Sequence, residues 1–166
     1  MRENEPAYYS GLHYTHTNEK NLFGPDPALK NFIPADSVQI KKVLKTKDDF
    51  KIEYGYSFGD CVGFCKAQII LSSKGGLVTR HSWEDKRTIT TYLPIEKSEY
   101  ENLTTSISFE EFKNFNEYLG CGDCADGGDE FLKISFKGEN KIINGTYGFS
   151  CPPVEGLLAY LRTIEN

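Results

Sequence analysis

The sequence predicts an α+β fold built on a mostly antiparallel sheet, with two or three helices and one of them C-terminal. Three observations carry this. Phe50, Ile52, Tyr54, Tyr56 and Phe58 alternate with Lys51, Glu53, Gly55 and Ser57, the period of a strand with one buried and one wet face. Strand signals then run in series, and the helical patterns come as separate blocks rather than one between each pair of strands. The chain is also rich in strand-forming aromatics, with 11 Phe and 10 Tyr among 166 residues.

The elements follow in order. Residues 1–35 hold Pro6, Pro25, Pro27 and Pro34 and no sustained period, yet Tyr8, Tyr9, Leu12, Tyr14, Leu22 and Phe23 are too aromatic for a free tail. This predicts an irregular aromatic arm packed partly on a single domain of residues 36–166. Val38–Leu44 reads as a first strand, with Lys41, Lys42, Lys45 and Lys47 on a solvated edge. Lys66–Ser72 and Leu77–Trp83 flank Lys74-Gly75-Gly76 as a hairpin, and β-branched Thr88–Ile95 is a further strand. Ser98 with Glu101 and Ser108 with Glu111 fit capping boxes. Phe112, Phe115 and Leu119 then predict a helix over 108–119, closed by Gly120. Leu132, Ile134 and Phe136 alternate as a strand that turns at Lys137-Gly138-Glu139-Asn140 into another over about 141–149. Pro152-Pro153 opens the last helix, whose face is Leu157, Leu158, Leu161 and Ile164.

Composition narrows function. A net charge of -5 argues against nucleic acid as a partner. No stretch approaches the roughly 20 apolar residues of a membrane-spanning helix. Met1–Pro6 carries no apolar signal region, so the chain is either cytosolic or read without an export signal. There is no phosphate loop, nucleophile elbow or nucleotide fingerprint. No catalytic residue and no cofactor is expected. His13 and His16 lie in the arm and His81 in a strand, none beside a nucleophile.

The chemistry-bearing residues are cysteines in two glycine-rich loops. Cys61 and Cys65 lie in Gly59-Asp60-Cys61-Val62-Gly63-Phe64-Cys65. Cys121 and Cys124 lie in Gly120-Cys121-Gly122-Asp123-Cys124-Ala125-Asp126-Gly127-Gly128. Cys151 is the fifth and odd thiol. One reading is structural disulfides among Cys61, Cys65, Cys121 and Cys124, either between the loops, tying helix to sheet, or within each pair. A second gathers the same four thiolates around zinc. A third is redox exchange at Cys121/Cys124, against which the pair follows a helix instead of starting one, and Asp123, Asp126, Asp129 and Glu130 would raise its thiol pKa. Those carboxylates lack calcium-loop spacing and read as a solvated acidic loop.

The two cysteine elements, with the strand pair and short helix after them, resemble small uncharacterised bacterial proteins of the Bacteroidetes type, exported proteins or lipoproteins. The resemblance covers roughly residues 54–164. It implies a periplasmic or cell-surface location and favours disulfides, and it implies no activity. The functional expectation is therefore a non-catalytic exported domain braced by cysteine pairs, its partner another protein or envelope component. The alternatives are a thiol-redox or zinc-dependent enzyme using Cys121/Cys124, and a small-ligand binder whose curved sheet is lined by aromatics.

Overall fold

The computed structural model describes residues 33–59, 61, 63–83, 86–120 and 127–164. The predicted arm before residue 33, with its histidines, lies outside the described residues, as do Cys121 and Cys124. The described residues are α+β, with seven strands in one mostly antiparallel sheet and four α-helices. Among them no helix is long and apolar enough to cross a membrane.

Helix α1 (Ser37–Leu44) comes first. It is followed by β1 (Phe50–Ser57), β2 (Phe64–Ser72), β3 (Gly75–Ser82) and β4 (Thr88–Leu93). Then come α2 (Lys97–Thr105), α3 (Phe109–Lys113) and β5 (Tyr118–Leu119). The chain closes with β6 (Asp129–Phe136), β7 (Glu139–Thr146), a 3₁₀ turn at Pro152–Val154 and α4 (Glu155–Thr163). The strand order is β4-β3-β2-β1-β6-β7-β5. Among the described strands only β5 runs parallel to its neighbour, β7.

Period two in β1 does what it predicts. Ile52, Tyr54 and Tyr56 are buried on one face, while Lys51 is exposed on the other. Lateral pairing puts Ile69, Tyr54, Leu132 and Ile143 in one row across β2, β1, β6 and β7. Tyr100 of α2, Phe112 of α3 and Leu157, Leu158 and Leu161 of α4 join that row in a single core. On the opposite face, Ile70, Leu77 and Tyr92 form a row across β2, β3 and β4. Ile40 and Val43 of α1 cover it, together with Ala35.

The β6–β7 turn is the two-residue kind that demands positive φ at both central positions, here Lys137 at 48° and Gly138 at 88°. The β2–β3 hairpin turns at Ser73-Lys74, one step earlier than predicted, so Gly75 and Gly76 lie inside β3.

Five expectations are corrected. Val38–Leu44 is helix, not strand. Asp36 accepts from the amides of Val38 and Gln39 at 2.8 Å, and Gln39 accepts from the Asp36 amide at 2.9 Å, a full capping box. The four lysines are exposed around this helix and its exit rather than along an edge strand. The helix predicted over 108–119 stops at Lys113. Its Asn114 cap bonds back to the Glu110 carbonyl, and the Glu117 carbonyl accepts the Asn144 amide at 2.8 Å, drawing Tyr118–Leu119 into the sheet. Gly120 therefore follows a strand instead of capping a helix. The two serine boxes do not form: Ser98 lies inside α2, which Glu96 caps, and Ser108 caps α3 without a side-chain bond. Pro34, at the end of the predicted arm, bridges to Thr91, and the Ala35 amide bonds the Thr90 carbonyl at 2.8 Å on the edge of β4.

Asp36→Ala removes both directions of the α1 cap, and we expect it to lower unfolding free energy by about 1 kcal/mol. Urea denaturation of the variant beside the wild type measures this.

Candidate functional site

Strand pairing brings the Cys61 loop and the residues that flank the second cysteine segment to one end of the sheet. Ser57 at the end of β1 pairs with Lys66 and with Asp129, and Asp129 pairs with Thr146. Phe64 pairs with Ser82 across β2 and β3, and β4 begins at Thr88 beside His81. The β1–β2 loop with Cys61, the β3–β4 loop with Trp83, the segment from Gly127 into β6 and the exit of β7 at Tyr147 therefore share this end.

Aromatic rings build its surface. The Phe58 ring lies 4.9 Å from that of Tyr147 and 5.5 Å from that of Tyr56, centroid to centroid. The Trp83 indole N–H donates to the Phe58 carbonyl at 3.2 Å, and its ring, 46% exposed, meets His81 edge-on at 5.7 Å. The His81 ring in turn shares a hydrogen bond of 2.9 Å with the Thr88 hydroxyl through Nδ1. An exposed indole pinned by a hydrogen bond is a rigid amphipathic contact group.

Two glycines make this approach possible. Gly128 has φ +71°, and a Cβ there would collide with the Phe58 ring. Gly120 has φ +116°, with room only for a hydrogen against Thr146. The residues flanking the second cysteine loop are thus held against β7 and against Phe58 of the first.

Cys61 and Cys65 are joined to each other, Cα to Cα 5.6 Å. The alternative of a bridge from this pair to the second loop is therefore not taken up by Cys61 or Cys65, nor are these two sulfurs open as zinc thiolates. Cys61 is exposed and Cys65 fully buried. Among the described residues, no three His, Cys, Asp or Glu side chains gather to hold an ion.

Cys151 is a free thiol buried at the start of the 3₁₀ turn. Burial, and then the nearby Glu155 carboxylate, push it up to about 11. Glu155 instead accepts from the Cys151 amide at 3.0 Å and the Ser150 hydroxyl at 3.1 Å.

The largest departure from the sequence reading is Glu130, expected in a solvated acidic loop. Its side chain has no exposed surface. Oε1 accepts from the Tyr54 hydroxyl at 2.6 Å and Arg162 Nε at 2.8 Å. Oε2 accepts from Arg162 Nη2 at 2.8 Å and the Gly148 amide at 2.7 Å. Arg162 also donates to the Phe149 carbonyl at 2.7 Å, and its bonds to Glu130 raise its pKa further. Four donors fill the acceptor positions of one carboxylate, so it is a structural clamp without a lone pair to spare for a substrate proton. Nothing in the local sequence marks it, because Arg162 lies 32 positions away on another element.

No protein-family model matches this chain, and no curated protein matches it.

Three outcomes follow from this geometry. Arg162→Met strands a buried carboxylate and should cost about 3–5 kcal/mol in chemical denaturation. Gly128→Ala forces an alanine into the left-handed region against Phe58. It should cost at least about 1 kcal/mol and erase the ring-current shifts between Phe58 and Tyr147 in proton NMR. Cys151 keeps its proton in the fold above the ordinary thiol value of 9.0. Its contribution to stability is thus whole below that value and is lost as pH rises toward about 11. Cys151→Ala should remove that part of the alkaline decline in unfolding free energy, and an identical decline in both proteins would refute it.

Proposed function

We propose that this chain is a non-catalytic exported domain whose cysteine-bearing sheet end contacts another macromolecule of the bacterial cell envelope. The observation that carries the reading is the convergence of Trp83, Phe58 and Tyr147 around the Cys61–Cys65 loop, on strand ends held by a saturated buried ion pair. Large aromatics with an apolar body and a polar tip are favoured at contact surfaces, and a pinned ring loses little freedom on binding. A disulfide persists in an oxidising compartment, which agrees with an envelope location. The resemblance of the two cysteine elements to exported bacterial proteins supports the same placement.

Position-specific photocrosslinking in the cell that naturally makes the protein tests this. Gly59 is exposed with open space around it, and Lys74 is exposed on the β2–β3 turn at the opposite end of the sheet. Benzoylphenylalanine at position 59 should give a discrete adduct in the envelope fraction, and at position 74 none. Equal labelling from both positions, or none from either, would count against a contact surface at this end. A cytosolic chain with five alkylatable thiols would instead favour the enzyme reading that uses Cys121/Cys124.

A further inference from the structure

The Cys61–Cys65 bond does little for the fold as a whole. Its cysteines are four positions apart. The restraint that a cross-link puts on an unfolded chain grows with the loop it encloses, and this loop is short. The hairpin around it is already paired from Ile52↔Leu71 to Ser57↔Lys66. The Phe58 amide then adds a bond of 2.8 Å to the Cys65 carbonyl.

Its effect is local. The ladder between β2 and β3 slips between Phe64 and Lys66, so Cys65 sits at a bulge. Phe58 faces that bulge with its amide on the Cys65 carbonyl and its own carbonyl on the Trp83 indole. The bond therefore closes the loop that fixes Phe58, and Phe58 fixes Trp83.

The two sulfurs also differ in access. Cys61 is exposed, and Cys65 has no exposed surface. A thiolate attacking from solvent meets the exposed Cys61 residue first while Cys65 lies in the core, which favours attack at Cys61. Cys65 Sγ lies 3.5 Å from the Gly63 carbonyl oxygen, an acceptor to which a thiol formed there could donate. Gly63 holds that carbonyl in place from a positive φ of 86°.

We propose that Cys61–Cys65 is a reducible switch for the aromatic end of the sheet, with a dithiol as its electron donor. One thiolate of the donor attacks Cys61 Sγ. The bond to Cys65 breaks, and Cys65 leaves as a thiolate that is protonated from water, its S–H then hydrogen-bonding to the Gly63 carbonyl. The donor's second thiol loses its proton and attacks the donor sulfur of the mixed disulfide. Cys61 is released as a thiolate and is protonated in turn. Two electrons pass to this chain, and the donor ends as a disulfide. Once reduced, the hairpin end from Phe58 to Cys65 loses its covalent tie, and the Phe58–Trp83 pair loosens while the core stays closed.

The consequence for a partner rests on reading this end as the contact surface. The switch itself does not, and its test needs no partner. Trp83 is the chain's one tryptophan, so its emission reports this end directly. The full-length protein is titrated with dithiothreitol under native conditions. Tryptophan emission, amide exchange and thermal unfolding are followed together. Reduction should shift the Trp83 emission and speed exchange of the Phe58 amide at least tenfold. Exchange at Leu132 in the core should not change, and the unfolding midpoint should fall by no more than about 5 °C. The double variant Cys61→Ser, Cys65→Ser should show the reduced emission from the start and ignore dithiothreitol. A bond that yields only on global unfolding overturns the proposal. So does a reduced protein whose Phe58 and Trp83 signals are unmoved, or a double variant that still responds. If the double variant does not fold, reduction of the native protein decides alone.

Discussion

One buried carboxylate holds one end of this sheet together. Glu130 sits at the start of β6, where the pairing register sets it beside Tyr56 on one side and Gly145 on the other. Its two oxygens take donors from β1, from the turn after β7 and from α4. A charge with no exposed surface is expensive unless every acceptor position is filled. That demand fixes Tyr54, Gly148 and Arg162 relative to one another. It thereby places Tyr147 against Phe58 and the last helix against the sheet. Apolar burial drives the core, in which Leu132, Ile134 and Leu157 have essentially no exposed surface. The ion pair adds direction, which apolar contact lacks.

Much of the sheet was legible in the residues, and the reason is periodicity. From Phe50 to Phe58 the alternation is uninterrupted, and β2, β3, β6 and β7 are bounded by Lys-Gly or Gly-Gly signals that the backbone uses as turns or strand starts. The last helix is legible because three leucines share one face. The misreading of α1 has a local cause. Val38, Ile40 and Leu44 lie at even positions and imitate a strand, while Asp36 and Gln39, three apart, carry the capping signal that wins. A two-residue strand such as β5 has no period to read. It exists because Gly145 admits the Leu119 carbonyl at a distance no side chain would allow.

The site was legible by type and not by arrangement. The cysteine segments stand out in the sequence, and local spacing cannot say that Cys61 and the residues flanking the second segment, Gly120 and Gly127, lie at the same end of the sheet. The exposure of Trp83 and its bond to Phe58 depend on a hairpin register that places Phe64 opposite Ser82. Glu130 was hidden among nearby acids, since its environment comes from partners distant in the chain. Composition cannot separate a solvated carboxylate from a clamped one.

These arrangements divide labour between two kinds of cross-link. The ion pair spans distant parts of the chain and serves the fold, while the Cys61–Cys65 bond spans four positions and serves one loop. Disulfide mapping of protein from its natural source tests that division most directly. Free thiols are blocked in denaturant, and the chain is digested without reductant. A peptide with Cys61 joined to Cys65, and a blocked Cys151, is the result this account predicts. Cys61 or Cys65 joined to Cys121, Cys124 or Cys151 would contradict it, because the bond would then brace the fold rather than organise the loop.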